Sequence, residues 1–130
     1  MTLKGAQKLQ MAWVALGLTY NAVSYWRISM GETALSALDP LSGAIFVSVC
    51  GAFIVAGMLG ANSVYRFTAP VITVLVAYGG VFSHVNAWVA DATLPQYVSS
   101  LSWLAAIVCN SYGDAVLAAG SWLAVNKTSP

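Results

Sequence analysis

The stretch from Leu101 to Val125, LSWLAAIVCNSYGDAVLAAGSWLAV, is an apolar run long enough to cross a bilayer core, which takes about 20 helical residues. Asp114 lies near its middle. An acidic side chain at that depth costs at least about 2.5–3.5 kcal/mol on insertion scales, so it usually has a partner or a function. The run predicts a membrane helix and makes Asp114 the first candidate for a functional residue.

The composition of the whole chain is typical of a membrane protein. Of its 130 residues, 59% are hydrophobic and 7% are charged, with a mean hydropathy of +0.77. Soluble domains carry roughly 25% charged residues, so this chain cannot build a water-facing surface. The net charge of +1 provides no basic surface. We therefore expect the lipid bilayer as its surroundings and no nucleic-acid partner.

Three more apolar segments precede the run that contains Asp114. Asp39-Pro40 is a start signal for the second of the four, because Asp can cap a helix and Pro suits its first turn. Pro70 is expected in the first turn of the third. We predict an all-α fold, a single four-helix transmembrane bundle over residues 1–130. Its spans are about 9–28, 41–61, 67–89 and 97–125.

The charged residues predict that both termini are cytoplasmic. Basic residues flank the bundle at both chain ends and in the middle loop, whereas the first and third loops are net acidic. By the positive-inside rule, the acidic loops face outward. The inner set is Lys4, Lys8, Arg66 and Lys127, and the outer set is Arg27, Glu32, Asp39 and Asp91. The expected location is a bacterial-type inner (plasma) membrane.

Small residues repeat every four positions along the second span. In lipid, helices associate through close backbone approach, so such a row marks a contact face. We call this row the α2 ridge; it consists of Ala44, Ser48, Ala52, Ala56 and Gly60. It is expected to pack either within the bundle or against another subunit. The partners predicted for the chain are accordingly other membrane-protein subunits or further copies of itself.

Asn110 and Asp114 lie four residues apart, on one face of the fourth span. Asn110 can hydrogen-bond the Asp114 carboxyl in either protonation state, and burial disfavours the charged form. One interpretation is a proton- or cation-coupled site, or an anchor for a ligand. The other is a structural polar contact that holds helices together.

His84, the single histidine, lies near the outer end of the third span. One histidine cannot supply two axial ligands or a metal cluster, so no metal and no cofactor are predicted. A role as an axial ligand of haem or chlorophyll is a minor interpretation. Together with Asn21, Arg27 and Asn86, His84 can line an outward-opening polar pocket in which Asn21 and His84 pair. The alternative is an ordinary interfacial region.

Nothing in the spacing of the residues indicates catalysis. G-x-S-x-G, H-E-x-x-H and paired-histidine motifs do not occur, so no catalytic residues are predicted and an enzyme is not favoured. The favoured function is a small integral subunit of, or accessory to, a larger inner-membrane complex, packing through small-residue helix faces. The alternative is a homo-oligomeric transporter or channel with Asp114 as its proton- or cation-coupled site. A third is a cofactor-binding protein or small membrane enzyme that uses His84 and the outer pocket.

Overall fold

The computed structural model describes residues 1–126, which are helical apart from the first two residues and three connecting segments. The helices are α1 (Leu3–Ser29), α2 (Pro40–Met58), α3 (Asn62–Val76), α4 (Ser83–Ala90) and α5 (Ser100–Asn126). A π segment, Ala77–Phe82, joins α3 to α4, so that these form one continuous third helix. Within residues 1–126 there is no strand. The protein is all-helical, and the predicted inner-side residue Lys127 lies outside the described residues.

Three helices in the described part of the chain are long and apolar enough to cross a membrane. They are α2, the continuous third helix (Asn62–Ala90) and α5. At 27 residues, α1 is about 40 Å long, but it is not among the three. Its first turns carry Lys4, Gln7, Lys8 and Gln10, which lower its hydropathy. Three helices thus have the length and composition expected for a membrane protein, and the fourth crossing stays a prediction.

Local sequence signals set two helix starts. Asp39 Oδ2 accepts a hydrogen bond from Ser42 N at 2.8 Å and Pro40 occupies the first turn, which confirms the predicted start of α2. α3 begins at Asn62, earlier than expected, because Gly60 with φ +103° lets the chain reverse in a tight turn. Pro70 therefore lies inside α3 and not in its first turn. Because proline has no backbone N–H, one helical hydrogen bond of α3 is missing at this position.

The helices are arranged in a ring. α1 packs against α2 and α5, and α3 packs against the same two neighbours from the other side. Large buried side chains from all four sides fill the centre. The largest are Trp13 of α1, Ile54 of α2, Tyr65 of α3 and Leu117 of α5. We call the end with the α2–α3 turn the turn end, and the end with segments 30–39 and 91–99 the loop end.

Near the turn end, a buried polar contact joins three of the helices. The Tyr65 hydroxyl lies 2.8 Å from Nε2 and 2.9 Å from Oε1 of Gln10, and Gln10 Nε2 also donates to the Val116 carbonyl at 3.0 Å. We call these three groups the polar clamp. It crosses the diagonal of the ring, from α1 to α3, and ties both to α5. Because the clamp satisfies these buried groups, the core stays closed at this end.

Toward the loop end, α2 and the third helix diverge. α2 contacts α3, but it contacts neither the π segment nor α4. The π segment and α4 pack instead against α5. The bundle is therefore open between the first half of α2 and the π segment.

Candidate ligand cavity

A cavity of about 330 Å³ lies inside the ring, where α2 and the third helix diverge. All four sides of the bundle contribute to its wall, and the lining is mostly apolar. Phe46 of α2 and Leu75 of α3 line it on the side where these helices diverge, and both are partly exposed. Ser36 and Asp39 reach its wall from the 30–39 segment. The cavity therefore reaches the loop end and also opens sideways, at the level of the apolar helices.

Two asparagines contribute polar groups to this wall. Asn21 Nδ2 donates to the Gly17 carbonyl at 2.8 Å, and Asn110 Nδ2 donates to the Ala106 carbonyl at 3.0 Å. Each amide therefore uses one N–H within its own helix and keeps the other. Both amides sit against glycines, since a Cβ on Gly43 would overlap Asn21 and one on Gly80 would lie 2.7 Å from Asn110 Cγ. Those glycines make room for the amides in the wall.

His84 is the third polar contributor, and two aromatic residues hold it in place. Its ring Nδ1 hydrogen-bonds the Tyr97 hydroxyl, and Trp103 Nε1 donates to its backbone carbonyl at 2.9 Å. The side chain is 3% exposed and lines the cavity. Nε2 has no hydrogen-bond partner within residues 1–126. His84 thus offers one free ring nitrogen in a position that α5 and the 91–99 segment fix.

The π segment sets the direction of His84. In a straight α-helix, a residue eight positions after Val76 would point roughly 80° away from it, at about 100° per residue. The wider π turn holds one extra residue, which cancels about 100° of that rotation. His84 consequently joins the buried face of Ile72 and Val76. Its neighbours Val85 and Asn86 are exposed.

The structure brings together half of the predicted site residues. Asn21, His84 and Asn110 line one cavity, although Asn21 and His84 each hydrogen-bond other groups and not one another. Arg27 and Asn86 are not part of the wall. Arg27 forms an ion pair with Glu32 at 2.9 Å and also donates to the Thr33 carbonyl. Asn86 is exposed.

Asp114 lies outside the cavity. Its Oδ1 is buried and accepts no hydrogen bond from the described residues, because the nearby Asn110 amide donates to its own helix. Two other residues on the same face of α5 contact the third helix. Asn110 lies against Gly80, and the Ser121 Oγ lies 3.3 Å from the Thr73 Oγ1. Asp114 therefore points toward the junction of α3 and the π segment. Its roles as a proton- or cation-coupled site, or as a helix contact, stay predictions.

The α2 ridge points away from the core. Ser48, Ala52 and Gly60 are exposed, and Ala44 and Ala56 are half-buried. The buried face of α2 is formed by other residues: Val47, Cys50, Gly51, Ile54 and Gly57. The ridge is thus a surface of small residues directed mainly outward from the bundle.

Several residues of the wall were not singled out from the sequence. Tyr20 and Cys109 line the cavity, and Tyr97 and Trp103 contact His84 beside it, but none of the four had a predicted role in a pocket. The Gly79-Gly80 pair in the middle of an apolar span was the available signal for irregular backbone. No three His, Cys, Asp or Glu side chains within residues 1–126 gather as a metal site would need.

Comparisons of the chain with protein-family models, with curated proteins and with solved structures find no match.

Proposed function

We propose that this chain is a membrane protein that binds a small, largely apolar molecule in the central cavity. The observation that carries the proposal is the convergence of Asn21, His84 and Asn110 from three helices on one apolar space of about 330 Å³. Ligand pockets commonly enclose about 300–1,000 Å³ and combine apolar walls with a few placed polar groups. The volume fits a small molecule, and the sideways opening suits one that dissolves in lipid.

The proposal includes four membrane crossings with both termini in the cytoplasm. α1 has the length for a crossing and packs along both α2 and α5, which supports its insertion beside them. Lys4, Lys8 and Arg66 occur at the turn end, whereas Asp39 and Asp91 occur at the loop end. The positive-inside rule then directs the loop end outward, as expected in an inner (plasma) membrane. Reporter fusions at each terminus and at Gly31 test this orientation.

The two native cysteines provide the test for the cavity. Cys109 lines the cavity, whereas Cys50 is buried in the core away from it, and both are free. A small membrane-permeant maleimide should therefore alkylate Cys109 and spare Cys50, as measured by mass spectrometry of the folded protein in gentle detergent. Protein taken directly from native membranes should instead retain a bound compound, which extraction and small-molecule analysis should release.

Cavity filling separates labelling through the cavity from labelling at the lipid surface. Ala106 lies on the cavity wall one turn from Cys109, so Ala106→Leu should slow alkylation severalfold. Ala105 is exposed on the same helix, and Ala105→Leu is the matched control that should leave the rate unchanged. Equal rates in the two variants would contradict the proposal.

A second candidate function, a subunit of a larger membrane complex, rests on the outward direction of the α2 ridge. Small residues on a lipid-facing surface let a second helix approach closely. In a chain without its native cysteines, Ser48→Cys should crosslink to another chain in native membranes. Val49→Cys, which is also exposed on α2, is the control. Equal crosslinking at both positions would indicate random collision and would count against this function.

A further inference from the structure

We propose that the molecule bound in the cavity presents an uncharged oxygen acceptor of the carbonyl class to Nε2–H of His84. Tyr97 acts as the positioning residue that keeps the proton on Nε2. The inference rests on the proposed function, because it specifies the chemistry of the ligand that the cavity holds.

The hydrogen bond between Tyr97 and His84 decides which ring nitrogen carries the proton. A phenol is a much stronger acid than the N–H of a neutral imidazole, and an unprotonated imidazole nitrogen is the stronger acceptor. No second acceptor for the Tyr97 hydroxyl exists within residues 1–126. The hydroxyl therefore donates to Nδ1, which places the imidazole proton on Nε2. A ligand that meets Nε2–H must offer an acceptor.

Two asparagines of the wall can also serve a ligand of this kind. Asn21 and Asn110 each keep one amide N–H after bonding their own helices. With Nε2–H of His84, these are donors on three helices around a single space. A molecule with one or two carbonyl oxygens on an apolar frame can accept hydrogen bonds from such donors and bury the remainder against the apolar wall.

The charges around the cavity favour an uncharged ligand. Asp39 is the single carboxylate that the described wall contains, and it already accepts hydrogen bonds from Ser42 N and Oγ at 2.8 and 2.7 Å. None of the Lys or Arg residues contributes to the described wall. An anion would meet no positive partner, and a cation would find no buried counter-charge, because Asp39 is exposed and caps α2. Burying an unpaired charge is costly, so a neutral molecule fits this site best.

A pair of rigid probes, fluorenone and fluorene, tests the inference. They share a planar apolar frame and differ in one carbonyl group. The alkylation rate of Cys109 is measured at increasing concentrations of each probe. Because that thiol lines the cavity, its rate reports occupancy there rather than partition into detergent. A net hydrogen bond of the usual strength should make fluorenone bind on the order of five- to tenfold tighter than fluorene.

Two substitutions assign that preference to named groups. His84→Leu should abolish the preference for fluorenone. Tyr97→Phe keeps the ring and removes the hydroxyl that fixes the imidazole tautomer, so the preference should fall to about twofold or less. Tyr25→Phe, at an exposed position, is the control and should keep the full preference. Because each effect is a ratio of two affinities in one protein, a general loss of stability cannot imitate it.

The outcomes separate this inference from the function on which it rests. Equal protection of Cys109 by both probes would overturn the carbonyl inference and leave cavity binding intact. A preference that survives in both His84→Leu and Tyr97→Phe would also overturn it. Protection by neither probe, together with no effect of Ala106→Leu on alkylation, would refute the proposed cavity function itself.

Discussion

Removal of one partner from the polar clamp should destabilise the bundle measurably. Gln10 is 0% exposed and Tyr65 is 1% exposed, so neither can find water in place of the lost partner. Tyr65→Phe leaves Gln10 Oε1 without a donor, while Nε2 keeps the Val116 carbonyl at 3.0 Å. Leaving one buried polar group unsatisfied costs about 1–3 kcal/mol, and we expect Tyr65→Phe to fall in that range.

Gln10→Leu should cost at least as much as Tyr65→Phe, because it leaves the buried Tyr65 hydroxyl without a partner and also removes the added hydrogen bond to the Val116 carbonyl, which keeps its bond within α5. The double variant lacks both polar side-chain groups of the pair. Its free energy of unfolding should therefore fall by less than the sum of the decreases in the two single variants. Interhelical hydrogen bonds measured by such cycles in membrane proteins average about 0.6 kcal/mol, with a maximum of about 1.7. The expected coupling lies within that range.

The assay is reversible unfolding in mixed detergent micelles, followed by circular dichroism, for the wild type, both single variants and the double variant. Tyr25→Phe is the control, since Tyr25 is exposed and its loss of a hydroxyl should change the free energy of unfolding little. Additive single effects would show that the clamp is not a coupled unit. A Tyr65→Phe variant as stable as Tyr25→Phe would refute the argument from buried polar groups.

Three further predictions concern other parts of the bundle. Gly113→Ala should lower the free energy of unfolding by about 1–3 kcal/mol, because its Cβ would overlap the Trp13 indole; wild-type stability in a denaturation assay would contradict that close approach. Asp114→Leu should raise the free energy of unfolding by roughly 1–3 kcal/mol, since Oδ1 is buried without a donor among the described residues; a less stable variant would show that the carboxyl has a partner. Hydrogen bonds from the side chain and backbone of Ser42 hold the pKa of Asp39 below its ordinary value. This cap therefore stabilises the fold above the unfolded value of about 3.9, and the stabilisation is lost as pH falls through the lower folded pKa. Thermal melting across that range should show a step that Asp39→Asn removes, and an identical pH profile in the variant would refute it.

The sequence predicts those parts of the fold that depend on local signals. The apolar runs predict the helices, and Asp39-Pro40 predicts the start of α2, because capping involves residues only three apart. The start of α3 was not predicted correctly, because it depends on the turn at Gly60 rather than on Pro70. Hydropathy averaged along a span cannot detect such a turn.

The candidate site is less accessible to sequence reasoning, because its geometry is non-local. Asn21 and His84 were predicted to share a pocket, but the partner of the His84 ring is Tyr97, which follows in a non-helical segment whose path the sequence pattern does not specify. The space between them exists because α2 and the third helix diverge, and helix tilt has no signature in residue spacing. Asn110 was grouped with Asp114 from their four-residue spacing, whereas the structure separates their environments.

The π segment has a consequence for which changes in length the chain can tolerate. Since Ala77–Phe82 contains one residue more than a regular helix needs, deletion of Gly79 would restore an unbroken α-helix with His84 still directed inward. Deletion of Val74, within α3, would instead turn everything after it by roughly 100° and direct His84 into the lipid. The third helix can therefore lose a residue at one place without losing its histidine from the interior. Natural variants of this chain should show single-residue gaps in the π segment and not in α3.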